Sequence, residues 1–82
     1  VIIYPNPANE DVFIDFSLIH PAVITVHLFD YTGKEVNCTS FSSEKGNNTI
    51  KVSTEKLVQG LYFCVIRKNE INLKTEKILV VK

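Results

Sequence analysis

Two histidines, two cysteines and nine acidic residues are the side chains from which a reactive or metal-binding centre could be assembled in this 82-residue chain. A metal centre needs several such donors at short spacing, and a nucleophile needs a base and a shaped turn beside it. His20 stands next to Pro21 in an expected loop, and His27 alternates outward on an expected strand. Neither is accompanied by Cys, Asp or Glu at a metal-ligand spacing. Glu10, Asp11 and Asp15 lie close together but lack the glycine and closing glutamate of a calcium loop, so they read as a solvated loop and strand edge. No glycine-flanked serine of the G-x-S-x-G kind occurs. The expectation is therefore no catalytic residue, no cofactor and no metal, and a chain that is not an enzyme.

Cys38 and Cys64 each fall in an expected strand at a position that can point inward. They can meet across two sheets, as the immunoglobulin inter-sheet pair does, or serve as small core hydrophobes. The chain has no tryptophan to pack on such a disulfide, which favours free thiols.

The elements that carry these residues have a period of two. Val12, Ile14 and Phe16 share one face of a strand, and Ile24, Val26 and Leu28 share one face of the next. Asp30-Tyr31-Thr32-Gly33-Lys34 then supplies a hairpin turn of type I with a bulge, with Gly33 at positive φ. A return strand over about residues 35–42 follows. Ser43 to Asn48 reads as a turn, and Ile50 and Val52 mark a short strand after it. Ser53 to Leu57 is the one piece with helical character, a capped single turn cut short by Gly60. Leu61 to Lys68 is apolar on both faces, the pattern of a central strand covered on both sides. Asn69 to Asn72 is an expected turn, and Leu73 to Lys82 an expected last strand. With a short strand at Val1 to Tyr4 the count is seven, which predicts an all-β fold, a seven-stranded antiparallel β-sandwich of immunoglobulin-like kind. Alternation defines faces but leaves strand order open.

Length and charge narrow the role. A chain of 82 residues is one domain with one core. Nine Lys plus Arg balance nine Asp plus Glu, so no electrostatic footprint favours nucleic acid or an anionic membrane. No apolar stretch approaches the ~18 residues of a transmembrane helix. The absence of any methionine, an initiator at Val1 included, suggests a module cut from a longer precursor.

Two segments stand apart from simple strand patterning. Tyr4-Pro5-Asn6-Pro7 loses two backbone donors and has two fixed φ angles, so it predicts a rigid, solvent-facing bend at the domain entrance. Lys77-Ile78-Leu79-Val80-Val81-Lys82 is an apolar run closed by a charge, which must be paired in the fold or read by a partner. The order of Tyr4-Pro5-Asn6-Pro7, Asp30-x-x-Gly33-Lys34, Gly60-Leu61-Tyr62 and Lys77 to Lys82 closely resembles the type A C-terminal sorting domain of the type IX secretion system. The resemblance spans nearly the whole chain.

That resemblance implies a non-catalytic secretion signal. It implies a cargo fused upstream, an outer-membrane translocon and a shuttle protein as partners, and a surface sortase that cuts before Val1. The implied localisation is the periplasm of a Gram-negative bacterium in transit to the cell surface or the outside. Transferred onto this chain, the recognition residues are Lys77, Ile78, Leu79, Val80, Val81, Lys82, Gly60 and Tyr62. Tyr4, Pro5, Asn6 and Pro7 mark the domain start, and Asp30, Gly33 and Lys34 the turn. On physical grounds Gly60 reads first as a bulge or turn residue, and Tyr62 as a core aromatic whose hydroxyl reaches the surface. A reader of the last strand would use strand addition along an exposed sheet edge, with either Ile78 and Val80 or Leu79 and Val81 left available. The alternative function is an accessory carbohydrate- or protein-binding sandwich of a secreted enzyme. Such a binder displays exposed aromatics, whereas here only Tyr4 and Tyr31 are expected in loops.

Overall fold

The computed structural model describes residues 1–82 and contains seven strands. These are β1 (Ile2–Tyr4), β2 (Asp11–Leu18), β3 (Ala22–Asp30), β4 (Glu35–Ser43), β5 (Gly46–Ser53), β6 (Gly60–Lys68) and β7 (Ile71–Val80). They form two antiparallel sheets, ordered β1-β2-β5 and β4-β3-β6-β7. Relative to the constant-type immunoglobulin arrangement, the fourth strand has moved to the edge of the sheet holding the third. Order of this kind is invisible to alternation alone.

The core sits between the sheets and follows the period-two pattern. Val12, Ile14, Phe16, Ile50 and Val52 from one sheet face Ile24, Val26, Leu28, Tyr62, Cys64, Ile66, Ile78 and Val80 from the other. Each of these fully buried aliphatic side chains contributes roughly 1.5 to 3 kcal/mol by leaving water. The expected both-sided cover of β6 is not observed. Tyr62, Cys64 and Ile66 are buried, but Leu61 is exposed and Phe63 and Val65 are half-buried on the outer face. The strand is interior to its sheet, yet nothing is stacked on its second side.

Three boundaries differ from the sequence expectation. The turn placed at 43–48 occupies only Glu44 and Lys45, because Gly46 turns the corner at φ +101° and Asn48 donates its side-chain amide to the carbonyls of Glu44 and Gly46. The last hairpin turns on Asn69 and Glu70, both at positive φ (47° and 70°), so β7 starts at Ile71 instead of Leu73. That is the two-residue connection whose twist matches the flanking strands. At the far end β7 stops at Val80, leaving Val81 and Lys82 beyond the strand. Ser53 to Leu57 forms a single turn, closed by the Leu57 N–H on the Thr54 carbonyl at 3.0 Å, and no helix.

The two cysteines occupy opposite faces of one sheet. Cys38 is opposite His27 and points outward, while Cys64 is opposite Leu28 and is fully buried. An inter-sheet disulfide is therefore ruled out by register, and both thiols are free. Burial, with the Glu76 charge adding to it, pushes the Cys64 thiol up to about 12.

Candidate recognition site

Lys77 to Lys82 meets the opening motif of the chain, and the meeting is built around Asn6. Pro5 and Pro7 have no N–H to donate, and both of their preceding peptide bonds are cis. The Asn6 side-chain amide stands in for the missing backbone. Its Nδ2 donates to the Lys77 carbonyl at 2.9 Å, and its Oδ1 accepts from the Leu79 N–H at 3.1 Å. One donor and one acceptor on groups two residues apart reproduce the rung of a β-ladder. Ala8 continues it, donating to the Leu79 carbonyl and accepting from the Val81 N–H, both at 2.8 Å, in a parallel bridge opposite Val80. The first strand is thus divided, with β1 on one sheet and Asn6 to Ala8 on the other.

This arrangement fills the outer edge of β7 from Lys77 to Val81. The inner edge is already paired with β6, Gly60 opposite Val80 and Tyr62 opposite Ile78. The sheet edge expected to accept an added strand is therefore occupied by the chain's own Asn6 to Ala8. Backbone groups here have partners, so a reader that adds a strand would first have to displace the opening motif.

The remaining motif residues are largely accounted for by the fold. The Lys82 ammonium donates to the carbonyls of Asn9, Thr54 and Glu55 at 2.7, 3.0 and 3.2 Å, and its N–H donates to Gln59 Oε1. The terminal lysine acts as a pin between the β1–β2 and β5–β6 loops. Gly60 sits at φ +155°, a region that side-chain-bearing residues avoid, with open space where a Cβ would be. Its requirement is conformational. Tyr62 is buried, and its hydroxyl donates to the Val58 carbonyl at 2.6 Å, securing the loop before β6. Tyr4 stacks on Phe13 and donates to Asp15 at 3.3 Å.

The Asp30 turn is equally self-contained. Its carboxylate Oδ1 accepts from the Thr32 hydroxyl, the Thr32 N–H and the Lys34 N–H, while Gly33 at φ +88° donates to the Asp30 carbonyl. Those bonds, the Thr32 hydroxyl first, hold the Asp30 carboxyl below the ordinary carboxylate range. The expected type I turn with a bulge is observed, and Val36 is the extra residue at the register shift.

What is left for a partner is one row of side chains. Ile78 and Val80 are 1% and 0% exposed, whereas Leu79 and Val81 are 45% and 41% exposed. Lys77 is exposed beside them, and Leu61 lies opposite Leu79 on β6. The alternation left open by the sequence is thereby resolved in favour of Leu79 and Val81.

Sequence reasoning missed two features. Asn6 is expected from sequence in a stiff bend that marks the domain start, although a polar amide side chain between two prolines that lack an N–H was a signal of a bonding role. The second is a cluster across the β3–β4 hairpin. His27 Nδ1 lies 2.6 Å from Glu35 Oε1, and the Cys38 sulfur is close by. No regular spacing announces it, because the ladder assembles it. The His27 bond holds the Glu35 carboxyl below its ordinary range, and desolvation together with the Glu35 charge raises the Cys38 thiol.

A family model described as the secretion system C-terminal sorting domain matches residues 2–82. Among solved structures, the chain is similar in fold to part of dimeric latent PorU from Porphyromonas gingivalis, with a TM-score of 0.74 at 23% identity. The match covers 98% of this chain and spans 9% of that one. No curated protein matches the chain.

Proposed function

The chain belongs to the type IX secretion system C-terminal sorting domain family, and from this we propose that it is an address without catalytic activity, read by side chains on the outer face of its last strand. The family match over nearly the whole chain supports the address. The observation that carries the mode of reading is the division of the Lys77 to Lys82 segment, with Ile78 and Val80 spent on the core, Lys82 spent on three carbonyls, and Lys77, Leu79 and Val81 presented outward.

In this reading the domain is the C-terminal part of a fused cargo. It docks through an apolar row flanked by a lysine onto the translocon or its shuttle, and a sortase then cuts upstream of Val1. Side-chain reading is favoured over strand addition because Asn6 and Ala8 already hold the β7 edge. Transit through the periplasm to the surface or the exterior follows from that role.

The test fuses residues 1–82 to a reporter in a bacterium with a functioning type IX system and measures surface delivery alongside thermal unfolding of the purified fusion. Leu79→Ser combined with Val81→Ser should abolish delivery while leaving the unfolding midpoint nearly unchanged. Normal delivery of that folded variant would overturn the outer-face reading. Failure of the unaltered fusion to be delivered would overturn the address itself.

A further inference from the structure

We propose that the outer face of the β3–β4 hairpin is a binding site for a zinc-class divalent cation, with His27, Glu35 and Cys38 as its three protein ligands. The backbone sets the three donors in place. His27 and Cys38 are directly opposite in the ladder, and the register shift between Leu28 and Phe29 brings Glu35 alongside them. A ring nitrogen, a carboxylate oxygen and the sulfur lie within 4.8 Å of one another. Tetrahedral zinc, bonded at about 2.0 to 2.3 Å, places its ligand atoms roughly 3.3 to 3.6 Å apart, so closure needs side-chain adjustment only.

The donor types select the cation. Imidazole and thiolate with one carboxylate suit zinc, whereas calcium and magnesium require shells of oxygen. The His27 ring is oriented by stacking on Phe29, with centroids 6.1 Å apart and planes 15° apart. Glu35 and Cys38 are exposed, which leaves the fourth position open to water or to a donor from a partner. On binding, imidazole and carboxylate donate lone pairs, the Cys38 thiol gives its proton to the buffer, and no electron changes hands. Arg67, on neighbouring β6 opposite Thr25, is the nearby cation that works against the metal. Two negative ligands outweigh its single charge. The bound ion would add a side-chain link between the edge strand β4 and its one neighbour, β3.

The 82-residue chain, kept reduced, is titrated with Zn²⁺ by calorimetry and with Co²⁺ by absorption spectroscopy. One equivalent should bind, and Co²⁺ should give a thiolate-to-metal charge-transfer band with intense tetrahedral d–d bands. Cys38→Ser should remove the charge-transfer band. His27→Gln and Glu35→Gln should each weaken binding at least as much as the ~10- to 100-fold that changes around metal ligands cost. Zn²⁺ should raise the unfolding midpoint of the unaltered chain but not of Cys38→Ser, whose circular dichroism reports an intact fold. Absence of one-equivalent binding, or a charge-transfer band that survives in Cys38→Ser, would overturn the site.

Discussion

The four-stranded sheet ends in two edges that the chain treats in opposite ways. Along β7, Asn6 and Ala8 occupy the backbone groups from Lys77 to Val81, and an apolar row is displayed on the face beside them. Along β4, which pairs with β3 alone, the strand is blunted by Asn37, Thr39, Ser40, Ser42 and Ser43. The contrast separates two hazards. An edge rich in aliphatic residues is closed to stray strand pairing, and an open edge is made polar. It also separates two ways of being read, because the closed edge offers side chains while the open edge offers backbone and the donor cluster.

Substitutions at the closed edge should be costly on its inner side. Ile78→Ala should lower stability by about 2 to 5 kcal/mol through lost burial and a cavity, measured by denaturant unfolding, and should lose export with it. Next in size, Asn6→Ala removes both amide bonds to β7 and should cost about 1 to 3 kcal/mol, at roughly 0.5 to 1.5 per bond. Gly60→Ala should cost a similar amount, about 1 to 3 kcal/mol, from backbone strain alone. At the open edge Ser40→Ala, which removes only an exposed bond to Thr25, should stay within about 0.5 kcal/mol. Equal losses for Asn6→Ala and Ser40→Ala would erase the distinction between the edges. Leu79→Ser and Val81→Ser should each be as mild as Ser40→Ala in unfolding, within about 0.5 kcal/mol, yet unlike Ser40→Ala they should lower export.

The smallest effect is set by pH at the turn that joins β3 to β4. The Asp30 carboxyl titrates lower in the folded chain than in the unfolded one, so its contribution is present above the unfolded value and is lost as pH falls through the folded value. The gap in unfolding midpoint between the unaltered chain and Asp30→Asn should accordingly narrow on acidification through the carboxylate range. A gap independent of pH would show that the turn bonds do not depend on the charge.

Much of this was legible from the residues because local rules decide it. Period two located the strands, and the Asp30 to Lys34 spacing announced the turn whose carboxylate bonds are seen. Four motifs in order announced the family. What stayed hidden was whatever depends on which strand lies beside which. Neither the placement of β6 beside β3 nor the parallel contact of Ala8 with Val80 is encoded in alternation. The assembly of His27, Glu35 and Cys38 depends on the register of the β3–β4 hairpin and its shift at Phe29, so their spacing in sequence carried no signal. Deleting Val80 to Lys82, the obvious way to test a terminal signal, also removes a core residue and the Lys82 pin. The structure therefore recommends the exposed side chains instead.

The parallel run of Asn6 to Ala8 beside Lys77 to Val81 also gives the domain a mechanical axis. Tension drawn between Val1 and Lys82 slides these two segments along each other's length. Their four bonds then resist together in shear, where a hairpin pulled from its open end would unzip one bond at a time. A pull on the entrance of the domain thus meets, just past β1, a joint at which the opening motif and the last strand are riveted together.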